Sequence, residues 1–128
     1  MKSRESVVRL KLFQVREKRR QISQLTMMSN EFERMANELE VQIALEEKKT
    51  GNTDITHFAY STFARSARQR RENLMTSIED LNVQKKAAEI ALQEAEAELS
   101  HLQALEERDG TAINEEDIVF VQSRSIIG

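Results

Sequence analysis

The stretch that decides the fold is YSTFARSARQRRENLMTSIEDLNVQKKAAEIALQEAEAELSHL, residues 60–102. Its repeat alternates spacings of four and three residues without a break over six heptads. The repeat positions are Tyr60, Ala64, Ala67, Arg71, Leu74, Ile78, Leu81, Lys85, Ala88, Leu92, Ala95, Leu99 and Leu102. A period of 3.5 residues sustained this long is typical of a coiled coil. The pattern predicts a long helix over about 61–108.

A second apolar stripe precedes this one and predicts a helix over about 4–49. Its positions are Val8, Leu12, Val15, Ile22, Leu25, Met28, Phe32, Met35, Leu39 and Ile43. Arg19 interrupts the stripe, and its phase slips between Ile22 and Leu25, as in a coiled-coil helix with one discontinuity. Because Met28 and Met35 fit the stripe, we expect them to fill the core.

The segment between the helices has the residues of a turn. Gly51 in TGNTDIT, residues 50–56, is suited to cap the first helix. The second helix begins at Thr56, or later with Ser61 or Thr62 as its N-cap. A loop over about 50–60 that joins two helices of nearly equal length indicates a hairpin.

The charge pattern favours the antiparallel arrangement. Residues 1–20 carry a net charge of +6 and residues 89–109 of −6, whereas residues 31–47 carry −5 and residues 65–71 carry +4. Folding the chain at 50–60 brings each block against its opposite, and places Ile22 opposite Ala88, Phe32 opposite Ile78 and Ile43 opposite Ala67. One exposed pair contributes only about 0–1 kcal/mol, but the sum over the four blocks selects this direction.

The sequence therefore predicts an all-α fold, a long antiparallel two-helix coiled-coil hairpin over residues 1–110. Aromatic residues make up only 5% of the chain and several repeat positions are alanine, so the seam between the helices is expected to be thin. Residues 111–128 lose the repeat at Gly110 and contain the apolar run 118–121. They are expected to form a flexible tail or a short docking segment.

The residues that catalysis requires are scarce. The chain has no cysteine, its histidines His57 and His101 stand apart, and it has no glycine-rich phosphate loop. We therefore expect no enzymatic activity, no cofactor and no metal site. No apolar run reaches the roughly 18 residues of a membrane span, which predicts no direct membrane insertion. The absence of cysteine fits a reducing compartment such as the cytoplasm.

One stretch departs from the repeat, HFAYSTFARSARQRREN at residues 57–73. It holds three of the six aromatic residues, directly before four arginines. Two interpretations stay open, a partner-binding surface or a plug of the bend with solvated arginines. The candidate residues are Phe58, Tyr60, Phe63, Arg65 and Arg68. Nucleic acid is not expected to be a partner, because the net charge is −3 and each basic block has an acidic block to pair with.

Four segments together resemble a known family. MKSRESVVRLKLFQVREKRRQISQL, EFERMANELE, HFAYSTFARSARQRRENL and LEERDG are similar to the alphaproteobacterial branch of the FliJ family, the small coiled-coil stalk protein of the flagellar type III export apparatus. The resemblance covers about residues 1–110. Its weight lies on the N-terminal stretch and on HFAYSTFARSARQRR, because neither follows from a coiled-coil repeat.

The resemblance implies a role in flagellum biogenesis, protein export and motility. It implies a monomeric antiparallel coiled coil that is inserted in the hexameric export ATPase, contacts the membrane export gate and handles empty export chaperones. The protein would lie at the cytoplasmic face of the inner membrane at the flagellar base. Its end formed by the termini would enter the ring, with Arg9, Lys11, Phe13 and Arg16 as contacts. The alternatives are a generic coiled-coil scaffold or chaperone-like hairpin and, third, a nucleic-acid binder.

Overall fold

The fold consists of two long helices. The computed structural model describes the backbone of residues 2–127 and the side chains of residues 4–110. Helix α1 spans Lys2–Thr50 and helix α2 spans Thr62–Ile127, and the described backbone contains no strand. The two helices pack against each other, so the predicted all-α helical hairpin is confirmed.

At the bend, the end of α1 and the start of α2 are each capped by a residue of the connecting segment. Gly51 has a φ of 71°, and its N–H donates to the carbonyl of Glu47 at 2.8 Å. This left-handed cap is the role predicted for the glycine. At the other end the Ser61 hydroxyl accepts the N–H of Ala64 at 3.2 Å, so Ser61 is the N-cap and α2 has the later of its predicted starts.

Helix α2 extends beyond its predicted end near residue 108 and continues to Ile127. Gly110 lies inside this helix, and a glycine there costs only about 1 kcal/mol relative to alanine. Without proline in the chain, one glycine is too weak a signal to end a helix. Residues 111–128 are predicted to form a flexible tail or a docking segment, and their side chains lie outside the described residues, so this stays a prediction.

The chain divides into two compact units. Unit 1 combines the residues up to Arg19 with those from Ile90 onward. Its core is formed by Val8, Val15 and Leu99, with Leu12, Leu92, Ala95 and Leu102 packed around them. Three ion pairs cross between the helices in this unit, Arg4–Asp109, Lys11–Glu98 and Arg19–Glu96. Within unit 1 the helices are therefore antiparallel, and the basic block meets the acidic block as predicted.

Unit 2 comprises residues 20–89 and contains the bend. One cluster is formed by Leu25, Leu81 and Ala88 with Ile22 and Phe32, and a second by Leu39, Ile43 and Ala67 with Leu74. Two predicted cross-helix pairs, Ile22 with Ala88 and Ile43 with Ala67, thus lie in shared clusters. Every position of the α2 repeat is buried or half-buried. No large side chain within residues 4–110 is completely shielded, which agrees with a thin seam.

The centre of α1 differs from the predicted stripe. Met28 is 47% exposed, while Ser29 and Ala36 are buried. From Leu25 onward the inward positions keep a strict alternation of four and three residues, and this alternation passes through the two small residues. Met28 and Met35 lie one position before them, so the expectation that Met28 fills the core is wrong, and Met35 is only half-buried.

Candidate functional site at the bend

The loop of the bend, residues 51–61, is held by its own polar side chains. Asn52 Oδ1 accepts the N–H of Asp54 at 3.0 Å. Asp54 Oδ1 in turn accepts the hydroxyl of Thr56 at 2.7 Å and its N–H at 3.0 Å. These hydrogen bonds, the hydroxyl first, lower the pKa of Asp54. The loop thus has a defined shape although nearly all of its side chains are exposed.

Phe58 stands on the surface of this loop. Its side chain is 94% exposed, and its ring stacks on His57 with centroids 4.7 Å apart. His57 is fixed in turn, because its Nδ1 accepts the N–H of Ala59 at 3.0 Å. Phe63, at the start of α2, is 54% exposed. Two of the three predicted aromatic residues therefore present apolar surface to the outside of the bend.

Tyr60 is the ring that fills the bend, and it is only 4% exposed. Its hydroxyl donates to Glu47 Oε1 at 2.9 Å and accepts Arg68 Nε–H at 2.8 Å, while Arg68 Nη2 donates to the same carboxylate oxygen. We call Glu47, Tyr60 and Arg68 the bend triad. It joins the last turn of α1 to the second turn of α2, so its side chains fix how the helices leave the bend.

The hydrogen bonds of the triad favour the charged forms of Glu47 and Arg68. Those from Arg68 and then from Tyr60 lower the pKa of Glu47. The bonds to the Tyr60 hydroxyl and then to Glu47 raise the pKa of Arg68. A carboxylate held by two donors and a guanidinium beside it form a charge-assisted unit. The ion pair and hydrogen bonds of the triad therefore hold the structure of the bend.

Arg65 lies next to the triad and is used differently. Its Nη2 donates to the carbonyl of Ile55 at 3.0 Å, and its guanidinium carbon is 5.4 Å from the centre of the Tyr60 ring. It forms no ion pair within residues 4–110. Of the two predicted arginines, Arg68 is thus occupied inside the bend and Arg65 keeps its charge available.

The four residues predicted to contact an ATPase ring lie in unit 1, and they fall on two sides of α1. Arg9, Phe13 and Arg16 are spaced by four and three residues, so they share one helix face, and all three are exposed. Arg9 is paired with Glu5 on its own helix, and Phe13 is 60% exposed. Lys11 does not join them, because it forms an ion pair with Glu98 of α2.

Sequence analysis missed two contacts at the bend, the one between Glu47 and the Tyr60 hydroxyl and the one between Glu46 and Ser61. The acidic block that includes Glu47 is expected to face the arginines of α2, but nothing in the sequence indicates that Glu47 also accepts the Tyr60 hydroxyl. Ser61 donates to Glu46 at 2.9 Å in addition to capping α2. The register of Tyr60 with the α2 repeat was an available signal for its burial. The repeat does not indicate which residue the Tyr60 hydroxyl contacts, because that residue, Glu47, lies on the other side of the bend.

Comparison with protein-family models, with curated proteins and with solved structures found no match. None of the described helical stretches is long and apolar enough to traverse a bilayer. No grouping of three or more histidine, aspartate or glutamate side chains suited to a metal ion occurs among the described residues.

Proposed function

We propose that this chain is a non-enzymatic component of the bacterial flagellar protein export apparatus. In this role it is a coiled-coil stalk within the export ATPase ring that couples the ring to the membrane export gate and handles export chaperones. It would act as a monomer, peripherally at the cytoplasmic face of the inner membrane. Its mechanism would be mechanical and allosteric, through assembly of the ring and contact with the gate.

The observation that carries this proposal is the similarity of HFAYSTFARSARQRR, residues 57–71, to the FliJ pattern. A coiled-coil repeat specifies only the residues at the seam, and in this segment these are Tyr60, Ala64, Ala67 and Arg71. The other residues of the motif are not needed for a seam. Their use in a defined bend, with Arg68 on Glu47 and Phe58 turned outward, supports a role of the motif beyond helix pairing.

The exposed ion pairs between the helices show the kind of weak charged contact that a stalk needs if it must bind a ring and be released from it. The members of Arg19–Glu96 are 62% and 42% exposed. Exposed pairs of this kind contribute about 0–1 kcal/mol each and are screened by salt. Long charged surfaces therefore allow many weak contacts with a surrounding ring and release from it.

The direct test uses the purified chain with the export ATPase and the gate's cytoplasmic domain of the same organism. We expect the chain to promote hexamer assembly in sedimentation velocity and to raise ATPase activity, and to bind the gate domain. The double variant Phe13→Ala/Arg16→Ala should lose the effect on the ATPase. Met27→Ala, which truncates an equally exposed side chain of α1, should keep it. If the unmodified chain changes neither assembly nor gate binding, the proposal fails.

A generic self-associating scaffold is the second candidate. It is favoured by Val41 and Leu45, which are 59% and 63% exposed and share a face of α1 at a spacing of four residues. Such a pair would be buried if copies associated through this face. Sedimentation equilibrium separates the candidates, because the stalk is expected to be a monomer alone and the scaffold a dimer that Val41→Ser/Leu45→Ser disrupts.

A further inference from the structure

A groove runs beside the bend in unit 2, with a volume of about 530 Å³. It is lined by three arginines of α2 with a glutamate between apolar ends, namely Ile55, Arg65, Arg68, Arg71, Glu72 and Met75. Residues 65, 68, 72 and 75 follow the three-and-four spacing of one helix face. The volume lies within the roughly 300–1,000 Å³ of known ligand sites. The groove is thus a basic trough with apolar ends.

Two of the three guanidinium groups in this groove have N–H donors without an acceptor among the described residues. Arg65 contacts a carbonyl and the face of a ring, but no carboxylate within residues 4–110. Arg71 Nη2 is 3.8 Å from Glu40 Oε2, which is too long for a hydrogen bond. Arg71 Nε is buried and has no acceptor among the described residues. A guanidinium carries five N–H donors, so the exposed Arg65 and the exposed end of Arg71 keep donors that can reach a ligand.

Arg68 contributes differently, since its charge is already matched by Glu47. It lines the groove and donates to the Tyr60 hydroxyl, leaving Arg65 and Arg71 to meet a ligand. The apolar ends are accessible, because Ile55 is 42% and Met75 41% exposed. A ligand that fits therefore needs one or two anionic groups close to an apolar side chain.

We infer that this groove binds an acidic segment of a partner protein. One or two carboxylates of that segment pair with Arg65 and Arg71, and apolar side chains beside them pack against Ile55 at one end of the groove or Met75 at the other. Guanidinium and carboxylate match in shape and can form two parallel hydrogen bonds. This inference does not depend on the export function and holds equally for a scaffold.

A nucleic acid fits the groove less well. The phosphate backbone of a nucleic acid is bound by several cationic side chains whose charge is not already matched by a carboxylate. Here Arg68 is already matched by Glu47, and Glu72 lines the groove itself, which leaves Arg65 and Arg71 against one glutamate. The Tyr60 ring is buried, so it offers no platform on which a base can stack. One or two carboxylates with apolar neighbours match the small excess of positive charge.

Fluorescence anisotropy of the full-length chain tests the inference. The probe is a short fluorescein-labelled peptide of glutamate, leucine and serine at low ionic strength, beside the same peptide with glutamine for glutamate. We expect the glutamate peptide to bind and the glutamine peptide to bind at least about tenfold more weakly. Arg65→Gln should weaken binding of the glutamate peptide about tenfold. Arg70→Gln, a matched control that removes the same charge from an exposed residue outside this groove, should change it less than about twofold.

Three results would overturn the inference. Equal losses in Arg65→Gln and Arg70→Gln would show attraction by overall charge, and equal binding of both peptides would exclude the carboxylate contact. An unlabelled single-stranded DNA that displaces the probe better than the unlabelled glutamate peptide would make the groove a nucleic-acid site. Arg65 is exposed, so its variant is expected to fold, and circular dichroism checks this. Met75→Ser provides a second readout, with weaker binding expected at unchanged charge.

Discussion

Replacing Tyr60 or Phe58 by alanine distinguishes the two interpretations of the aromatic residues at the bend. The residues lie two positions apart, yet Tyr60 is 4% exposed and Phe58 is 94% exposed. Tyr60→Ala removes the packing of the bend, whereas Phe58→Ala removes only a surface ring. The two substitutions should therefore differ strongly in their effect on the free energy of unfolding.

The size of the Tyr60 effect follows from the area that its ring buries. A buried aromatic side chain removes about 200 Å² from water. At about 25 cal/mol per Å² this gives about 5 kcal/mol, an upper limit because the unfolded chain already buries part of the ring. Truncations of large aromatic residues in cores cost about 3–5 kcal/mol. Because the bend is at one end of unit 2 and can partly relax, we expect a loss of about 3 kcal/mol for Tyr60→Ala.

The hydroxyl accounts for a separate part of this loss. Tyr60→Phe keeps the ring but breaks the bonds to Glu47 and Arg68, and hydrogen bonds to charged groups contribute about 1.5–3 kcal/mol. Since Arg68 and Glu47 keep their direct ion pair, we expect the lower end, about 1.5 kcal/mol. Phe58→Ala should stay within about 0.5 kcal/mol of the unmodified chain.

Urea denaturation followed by circular dichroism at the helix band measures all three variants. Equal slopes of the free energy against urea are required for the comparison, because a changed slope signals a changed unfolded state. The reasoning is refuted if Phe58→Ala destabilises the chain as much as Tyr60→Ala does. It is also refuted if Tyr60→Ala costs less than about 1 kcal/mol.

Three further predictions use the same denaturation measurement. Gly51→Ala should cost about 1 kcal/mol, because Gly51 has a φ of 71° that alanine adopts only with strain. Val15→Ala should cost about 2 kcal/mol, because this side chain is buried in unit 1 and loses two methyl groups. The pKa of Glu47 in the folded protein is lowered below its ordinary value of about 4.5. The ionised Glu47 carboxylate therefore stabilises the fold fully above about pH 4.5. This stabilisation is lost as the pH falls through the lower pKa of the folded state. Glu47→Gln should therefore flatten the acid part of the stability profile.

Matched controls exist in the chain for each of the three. Gly110 lies inside α2 without a positive φ, so Gly110→Ala should stabilise slightly or be neutral, and equal losses at both glycines would contradict the backbone argument. Val83 is 70% exposed, and an equal loss in Val83→Ala would contradict the burial argument. Glu79 is exposed and forms no ion pair in the described part of the chain, so Glu79→Gln should leave the acid profile unchanged.

The seam of α2 was predictable because its repeat is unbroken, and the burial of Tyr60 follows from the same register. The centre of α1 was harder, since hydrophobicity alone favours Met28 over the neighbouring Ser29. Close approach of two helices selects small residues, and a scale of hydrophobicity does not contain that preference. The end of α2 was missed because a coiled-coil repeat reports where a partner packs, whereas a helix can continue without one.

The bend triad was beyond sequence analysis for a different reason. Tyr60 and Glu47 are thirteen residues apart and meet only because Gly51 and Ser61 end and restart the helices where they do. The same holds for the groove, whose character depends on which arginines are already matched. Four arginines in sequence look alike, but Arg68 is neutralised by Glu47 while Arg65 is not.

The ion pairs of the two units differ in the length of chain that they enclose, and this difference sets an order of events during synthesis. Arg68 and Glu47 are 21 positions apart, whereas Arg4 and Asp109 are 105 apart. Closing a loop five times longer costs about 1.4 kcal/mol more in chain entropy. On a ribosome the partners in unit 2 are complete once residue 89 is made, while the first 19 residues still await theirs. A nascent chain therefore carries a helix start with Val8 and Val15 uncovered until Leu99, which packs against them in unit 1, has been made.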